Sequence, residues 1–356
     1  MVRRALGGST VVAAVLIALP IGTGVSAPEG ASLAMVGWSR RPVSFELIRT
    51  DQSGELRHAL LSRGLLGLPA PYPGDTPSWS PDGSLLAFTG LVGTVHKRYY
   101  TGPRTKIFVV SVDGTGLRPV PGTANGASPV FAPDGRTIAF AVQRHRPRPH
   151  RRGGNATSES EAVWVADLEG TTKRRVTPWR NGLKMAPSSF SPDGTRLAAT
   201  RVVRHGVGEA VAIRLQGGKT AVLARNALQP VYSPDGSEIA YLGGHFRAAR
   251  TRHGKTRATL TDLFTMHADG SGSRRLTHTP RSVEIAPSWD PSGRRLAFTL
   301  LGNPLKGSAA RALGGGVMEV NADGSCLTKI LPGGDVAYFG AAWQPGSDRE
   351  AGPIAC

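Results

Sequence analysis

Residues 77–88 read PSWSPDGSLLAF, and this phrase decides the fold because it returns along the chain. It combines a small residue or proline, an aromatic residue, Ser-Pro-Asp-Gly, two polar residues and an apolar run. The further copies are 129–140 (PVFAPDGRTIAF), 188–198 (SSFSPDGTRLA), 230–241 (PVYSPDGSEIAY), 287–298 (PSWDPSGRRLAF) and the degraded 341–346 (AAWQPG). Their prolines are separated by 52, 59, 42, 57 and 54 residues. A period of about 50 indicates a propeller or a repeat array.

A second phrase lies between these copies and predicts a β-hairpin. Residues 107–120 (IFVVSVDGTGLRPV) and 263–277 (LFTMHADGSGSRRLT) each show alternating residues on both sides of a glycine turn. Each repeat therefore supplies four strands, named a to d in chain order. The Pro-Asp-Gly aspartates are interpreted as structural turn residues, because Asp can bond its own backbone and the following Gly accepts positive φ. They are Asp82, Asp134, Asp193 and Asp235.

The strand count predicts an all-β, six-bladed β-propeller with four-stranded antiparallel blades. The last strand a ends at Pro345 and has no strand b after it, whereas residues 33–37 (LAMVG) resemble an orphan strand b. We expect the N-terminal strands to pair with this C-terminal strand and to close the ring, which removes exposed sheet edges. The aromatic residues are expected to pack between neighbouring blades.

The N-terminus predicts export. Arg3 and Arg4 precede the apolar residues 11–19, and small residues follow at 25–27. This layout is typical of a secretory signal peptide over residues 1–27, followed by one propeller domain over residues 28–356. The uncharged residues 5–27 are also long enough to span a bilayer, so an uncleaved anchor is the alternative. The expected location is the periplasm, the cell envelope or the exterior.

The chain has two cysteines, Cys326 and Cys356. In an exported protein an even pair predicts one disulfide, here pinning the C-terminus beside the closing blade. Two unpaired thiols are the alternative.

The Ser-Pro-Asp-Gly-x-x-Ile-Ala-Phe units resemble the WD40-like propeller repeat of TolB-type proteins. The resemblance covers essentially the whole chain after residue 27, with five copies in order. It implies six blades and the role of a periplasmic scaffold that binds other envelope proteins. TolB-type proteins carry an α/β domain before the propeller, and we expect this chain to lack it. Similar repeats also form the propeller of prolyl-oligopeptidase-like enzymes.

Known catalytic motifs are absent from the sequence. It contains no Gly-x-Ser-x-Gly, His-Glu-x-x-His, Cys-x-x-Cys, P-loop or dinucleotide fingerprint. We therefore expect no catalytic residue, no metal and no cofactor, and favour a binding module over an enzyme. The alternative is a hydrolase or lyase that acts on an anionic polysaccharide, with a carboxylate or histidine cluster in the central channel.

Positive charge is concentrated on one predicted rim. The net charge is +18, and 20 of the 43 basic residues fall in the six expected b–c loops. This rim is predicted to bind an anion through summed potential and arginine contacts, although a merely solvated surface is the alternative. The candidate binding residues are Lys97, Arg98, Tyr99, Tyr100, Arg104, Arg144, Arg146, Arg148, Arg151, Arg152, Arg204, Arg247, Arg250, Arg252, Lys255 and Arg257.

The expected partner of this rim is an envelope protein or an acidic glycopolymer. Lipid headgroups would also supply anions, so association with a membrane surface is a further expectation. Arginine clusters with aromatic residues also suit single-stranded nucleic acid, but export argues against that partner. The protein is expected to be a monomer.

Overall fold

The computed structural model describes residues 32–40, 43–51, 57–62, 70–71, 76–92, 104–148, 156–180, 182–202, 208–251, 254–302, 316–333, 336–346 and 353–356. Every regular element in these ranges is a β-strand. The signal peptide or anchor expected over residues 1–27 lies outside them. Within the same ranges, no helix has the length and apolarity needed to cross a membrane.

Twenty-five strands follow one another along the described chain. They are β1 (Ser32–Arg40), β2 (Val43–Asp51), β3 (Arg57–Ser62), β4 (Ala70–Pro71), β5 (Ser78–Trp79), β6 (Leu85–Val92), β7 (Arg104–Ser111), β8 (Arg118–Pro119), β9 (Gly126–Phe131), β10 (Thr137–Arg148), β11 (Ala156–Asp167), β12 (Lys173–Arg175), β13 (Lys184–Phe190), β14 (Arg196–Val202), β15 (Glu209–Arg214), β16 (Thr220–Arg225), β17 (Ala227–Tyr232), β18 (Glu238–Thr251), β19 (Gly254–His267), β20 (Arg274–Arg275), β21 (Val283–Trp289), β22 (Arg295–Leu301), β23 (Gly316–Asn321), β24 (Thr328–Leu331) and β25 (Val336–Trp343).

These strands form a propeller arrangement of four-stranded antiparallel blades, in five hydrogen-bonded sheets. Four sheets have the size of one blade: β25-β1-β2-β3, β4-β6-β7-β8 with β5 beside β6, β9 to β12, and β13 to β16. The fifth sheet has eight strands, β17 to β24. The prediction of six separate blades is therefore wrong at the level of sheets, and pairing among the described strands does not close a ring.

The eight-stranded sheet arises where β19 meets β21. A single parallel pair, Thr261↔Val283, joins the two strands. The Thr261 hydroxyl donates to the Glu284 carbonyl at 2.6 Å and accepts the Glu284 amide at 2.7 Å, which fixes this junction. The sheet otherwise consists of two antiparallel runs, β17 to β20 and β21 to β24.

We call each run of successive strands a unit. Unit 1 is β25 with β1 to β3, unit 2 is β4 to β8, unit 3 is β9 to β12, unit 4 is β13 to β16, unit 5 is β17 to β20 and unit 6 is β21 to β24.

Strand β25 near the C-terminus completes the N-terminal sheet. It pairs antiparallel with β1, from Leu33↔Trp343 to Ser39↔Val336. The predicted pairing of the N-terminal strands with the C-terminal strand is confirmed. Buried residues of both strands share one apolar cluster with unit 6, which includes Leu33, Trp343 and Val317.

The Ser-Pro-Asp-Gly phrases form tight turns between strands a and b. The Ser80 hydroxyl donates to Asp82 Oδ1 at 2.5 Å and accepts the Leu85 amide at 2.9 Å. Gly83 has φ +70°, which suits a residue without a side chain. The Ser80 hydroxyl and the Ser84 amide and hydroxyl hold the pKa of Asp82 below its usual range.

Two of the other three turn aspartates follow the same design, and the third is held differently. Asp193 and Asp235 accept hydroxyl bonds from Ser191 and Ser233 at 2.5 and 2.6 Å. Asp134 has an alanine two residues before it and accepts the amides of Arg136 and Thr137 instead, both at 2.8 Å. All four carboxylates lie in turns.

Aromatic residues of strand a lie between successive units. In three cases the backbone amide of the aromatic residue donates to a serine hydroxyl of the preceding unit. The pairs are Phe131 to Ser78, Tyr232 to Ser189 and Trp343 to Ser288, at 2.9–3.2 Å. The Trp79 indole donates to the Ala342 carbonyl at 3.0 Å, so unit 2 is also tied to unit 1.

Two hairpins are much longer than the rest and correct the prediction of basic loops. Strands β10 and β11 have 12 residues each, and β18 and β19 have 14 each. The equivalent strands of unit 4 have seven and six residues. Continuous register, up to Arg148↔Ala156 and Thr251↔Gly254, shows why these segments are strands rather than loops.

Candidate functional site

The structure describes the backbone of eight of the candidate basic residues. Arg104 begins β7. The other seven lie on the two long hairpins: Arg144, Arg146 and Arg148 on β10, Arg247 and Arg250 on β18, and Lys255 and Arg257 on β19. Eight further candidates lie outside the described residues: Lys97, Arg98, Tyr99, Tyr100, Arg151, Arg152, Arg204 and Arg252.

The register of the long hairpins brings basic positions together. In the hairpin of β18 and β19, Arg250 lies opposite Lys255. On β10, Arg144, Arg146 and Arg148 occupy alternate positions, which share one face of a strand. The arrangement places the described cationic positions of these candidates, apart from Arg104, on two long ribbons.

The root of the first hairpin is anchored by Arg144. Its exposed guanidinium lies 5.8 Å from the ring centroid of Trp179, which follows β12. Beside it, the side-chain Nε2 of Gln143 donates to Glu161 Oε1 at 3.0 Å. These contacts fix the point at which the hairpin leaves unit 3.

A second candidate site is a cavity of about 590 Å³ between units 4 and 5. Its walls come from the end of β16, from β18, β19 and β20, and from the link that follows β20. Its volume falls within the range of roughly 300–1,000 Å³ that is usual for small-molecule sites.

Strand register explains which side chains line this cavity. Directly opposed residues share a face, and Tyr241 pairs with Phe264, which in turn pairs with Arg275. One step along, Gly243 pairs with Asp262. The face therefore carries two stacked rings, with centroids 5.4 Å apart, and the Phe264 ring lies over Gly243.

Charged groups converge at the mouth of the cavity. The Arg275 Nη2 donates to Asp262 Oδ2 at 2.6 Å, and its Nε donates to the Thr277 carbonyl at 2.8 Å. The Thr279 amide donates to Asp262 Oδ1 at 2.7 Å. Arg225 and His278 complete the mouth, and both are exposed.

A second carboxyl group lies behind the cavity wall. Glu284 has no exposed surface and accepts hydroxyl bonds from Thr277 and Thr279, both at 2.8 Å. Burial raises the pKa of Glu284 to about 7, the two hydroxyls oppose that rise, and the nearby Asp262 charge adds to it. Glu284 is fully buried and does not line the cavity, and Thr279 bonds both Glu284 and Asp262.

Sequence reasoning missed this cavity. At the positions of Gly243 and Asp262, unit 3 has Val142 opposite Ala162, and unit 4 has Arg201 opposite Glu209. The latter two form an ion pair at 2.6 Å that fills the space. The available signals were a Gly-Gly pair within strand b and an aspartate within the facing strand c.

The predicted disulfide is confirmed. Cys326 and Cys356 are bonded, with their Cα atoms 5.1 Å apart and a sequence separation of 30. The adjoining tail is further held by Asn321, whose side chain bonds both the amide and the carbonyl of Ile354, at 2.7 and 3.0 Å. The C-terminus is thereby fastened to unit 6.

The fold and its repeated turns define a β-propeller protein built from Pro-Asp-Gly repeats. No family model matches the chain. Over 140 residues it is 37% identical to the Tol-Pal system protein TolB of Anaeromyxobacter dehalogenans (strain 2CP-C). The aligned region covers 39% of this chain and 28% of that protein. The match therefore spans just over a quarter of the length of that relative.

Solved structures show the same fold. The crystal structure of TolB from Acinetobacter baumannii has a TM-score of 0.62 at 20% identity, over 88% of this chain and 67% of that one. A putative TolB from Agrobacterium tumefaciens has a TM-score of 0.54 at 18% identity, over 88% and 99%. The predicted resemblance is confirmed, and the chain is a TolB-like β-propeller.

Proposed function

We propose that this protein is an exported scaffold of the cell envelope and that its long basic hairpins hold an acidic envelope protein. The sequence match to Tol-Pal system proteins supports an envelope role. The arrangement of residues 1–27 as a signal or anchor supports export. On this proposal the propeller works in the periplasm or at the envelope, as a monomer and without a cofactor.

The proposal includes a closed ring of six blades over residues 28–356. The eight-stranded sheet counts as two blades, units 5 and 6, beside the other four sheets. The inner strands contact one another in the order β5, β9, β13, β17, β21 and β25, and β25 contacts β5. This succession supports the ring, with β25 and β1 as its closing pair.

The observation that carries the binding role is the length of two hairpins. Strands β10, β11, β18 and β19 run well beyond the equivalent strands of unit 4. The added length carries Arg146, Arg148, Arg247 and Arg250. Like charges clustered on extended strands repel one another, so they suit a partner whose acidic surface neutralises them.

A pull-down from host envelope extract tests the proposal. The hairpin variant reverses five charges (Arg144→Glu, Arg146→Glu, Arg148→Glu, Arg247→Glu, Arg250→Glu). The control variant reverses Arg214 and Lys219, which are exposed at the turn between β15 and β16. All proteins are compared at about 0.05 and 0.5 M salt.

We expect one acidic protein to be retained by wild type and control at low salt, and to be lost by the hairpin variant and at high salt. Retention by the hairpin variant would contradict the proposal. Retention of an acidic glycopolymer instead of a protein would keep the basic site and reject the protein partner.

A further inference from the structure

We propose that the cavity between units 4 and 5 is a ligand site for a single carboxylate attached to an aromatic ring. The ligand is either a free aromatic carboxylic acid or the C-terminal aromatic residue of a peptide, since both present the same chemistry. This site is separate from the long basic hairpins, and it goes beyond the proposed scaffold role.

The charge at the cavity mouth selects a monovalent anion. Counted by formal charge over the described lining residues, Arg225 and Arg275 contribute two positive charges and Asp262 one negative charge. Asp262 would repel a doubly charged phosphate more than a carboxylate. One carboxylate therefore balances the mouth, in a partly enclosed space where charge-assisted hydrogen bonds are strong.

Donors remain for that carboxylate. Arg275 uses its Nε and Nη2 on Thr277 and Asp262, and its Nη1 donates to no described residue. The side chains of Arg225 and His278 likewise make no hydrogen bond or ion pair within the described part of the chain. Asp262 fixes the plane of the Arg275 guanidinium, so the Nη1 edge is preorganised for an acceptor.

The inner part of the cavity suits a flat apolar group. Its wall is the stacked pair Tyr241 and Phe264, and Pro280 lies at its border. The backbone of Gly243 and Gly244 also lines the cavity. A Cβ on Gly243 would lie 2.5 Å from the Phe264 ring, so glycine is what keeps this ring in place.

Unit 3 shows what the same face looks like without a site. There, Val142 and Ala162 replace Gly243 and Asp262, and Trp164 replaces Phe264. Lys173 then lies 4.7 Å from the centroid of the Trp164 ring. In unit 5 the corresponding positions hold Gly243, which the Phe264 ring covers, and Asp262, which orients Arg275. A flat aromatic wall beside an oriented cation is a combination that suits a small-molecule site.

Isothermal titration calorimetry of the full chain with N-acetyl-L-phenylalanine tests the proposal, with its carboxamide as the neutral counterpart. We expect the acid to bind with Kd on the order of 0.5 mM, as its size implies, and the amide at least about fivefold more weakly. Arg225→Gln should weaken the acid about tenfold and leave the amide unchanged. Arg214→Gln, an equally exposed arginine away from the cavity, is the matched control.

Amide NMR shifts locate the bound acid, and Gly243 and Gly244 should shift most. Equal affinity for acid and amide, an unaffected Arg225→Gln variant, no heat at 10 mM ligand (about 20 times the expected Kd), or shifts elsewhere would each overturn the proposal. A tetrapeptide ending in phenylalanine, as acid and as amide, then separates the two sources. Tighter binding of the peptide acid than of N-acetyl-L-phenylalanine identifies a peptide terminus, and weaker binding identifies a free acid.

Discussion

Two forms of one turn occur in this molecule, and they differ in where the carboxylate lies. Residues 80–83 read Ser-Pro-Asp-Gly, whereas residues 290–293 read Asp-Pro-Ser-Gly. Ser80 donates to Asp82 at 2.5 Å, and in the reversed form Ser292 donates to Asp290 at 2.7 Å. The hydroxyl–carboxylate bond survives the exchange, but Asp82 is exposed and Asp290 has no exposed surface. The turn therefore forms whether its carboxylate is exposed or buried.

The buried carboxylate is accompanied by a buried cation. Arg295 is 7% exposed; its Nε lies 3.2 Å from Asp290 and its Nη1 lies 3.0 Å from Glu319. Its guanidinium also lies 5.3 Å from the ring centroid of Trp343, on β25. Arg196, at the same position in unit 4, is exposed. The reversed turn thus links unit 6 to the closing strand β25 through the buried Arg295.

Asp290→Ala should have the largest effect. It removes one of the two carboxylates that pair with the buried Arg295, so the free energy of unfolding should fall by about 3–5 kcal/mol in a urea titration. Ser292→Ala removes the hydroxyl end of the same turn bond and should cost about 1 kcal/mol. Equal losses in the two variants would mean that the buried ion pair contributes nothing.

Glu284→Gln tests a buried carboxyl group that is held by hydroxyls instead of an ion pair. Its pKa is about 7 in the folded protein and near 4.5 without burial. Between these values the folded state binds more protons, so wild-type stability falls as pH rises and stays low above about pH 7. Glutamine does not titrate. The free energy of unfolding of the variant, relative to that of wild type, should therefore rise by about 2–3 kcal/mol as the pH increases from 4.5 to 8. A difference that is constant with pH would contradict the argument.

The double exchange Asp290→Ser with Ser292→Asp separates the turn from the ion pair. It restores the order found in the other turns, with an exposed aspartate, and leaves Arg295 beside Glu319. The loss in the free energy of unfolding should be about 2 kcal/mol, smaller than for Asp290→Ala, because the turn bond returns. A loss as large as that of Asp290→Ala would show that the turn bond is worth nothing here.

The repeats made the strands, the turns and the pairing of β1 with β25 predictable, because each rests on local pattern and strand count. The disulfide followed from having two cysteines in a chain expected to be exported. Ser292 was visible as a departure, but its exchange with Asp290 matters only once burial is known. The cavity could not be predicted, since Gly243 and Asp262 are opposed through register. The fusion of units 5 and 6 consists of one parallel pair, Thr261↔Val283, which no pattern in the sequence marks.

Asp193→Asn probes the exposed form of the turn and should have the smallest effect. The Ser191 hydroxyl and the Thr195 amide and hydroxyl hold the pKa of Asp193 below its usual range. A carboxylate with a lowered folded pKa contributes stability above its unfolded value, and that contribution is lost as pH falls through the folded value. The variant should therefore be less stable than wild type by about 0.5–1 kcal/mol at pH 7, since solvent weakens these bonds, and the gap should narrow below about pH 4. Urea titrations at pH 7 and 2.5 measure both values. If the stability difference between wild type and Asp193→Asn widened in acid, the exposed Asp193 would show the pH dependence expected for the buried Glu284. Burial could then not be the reason why the two carboxyl groups differ.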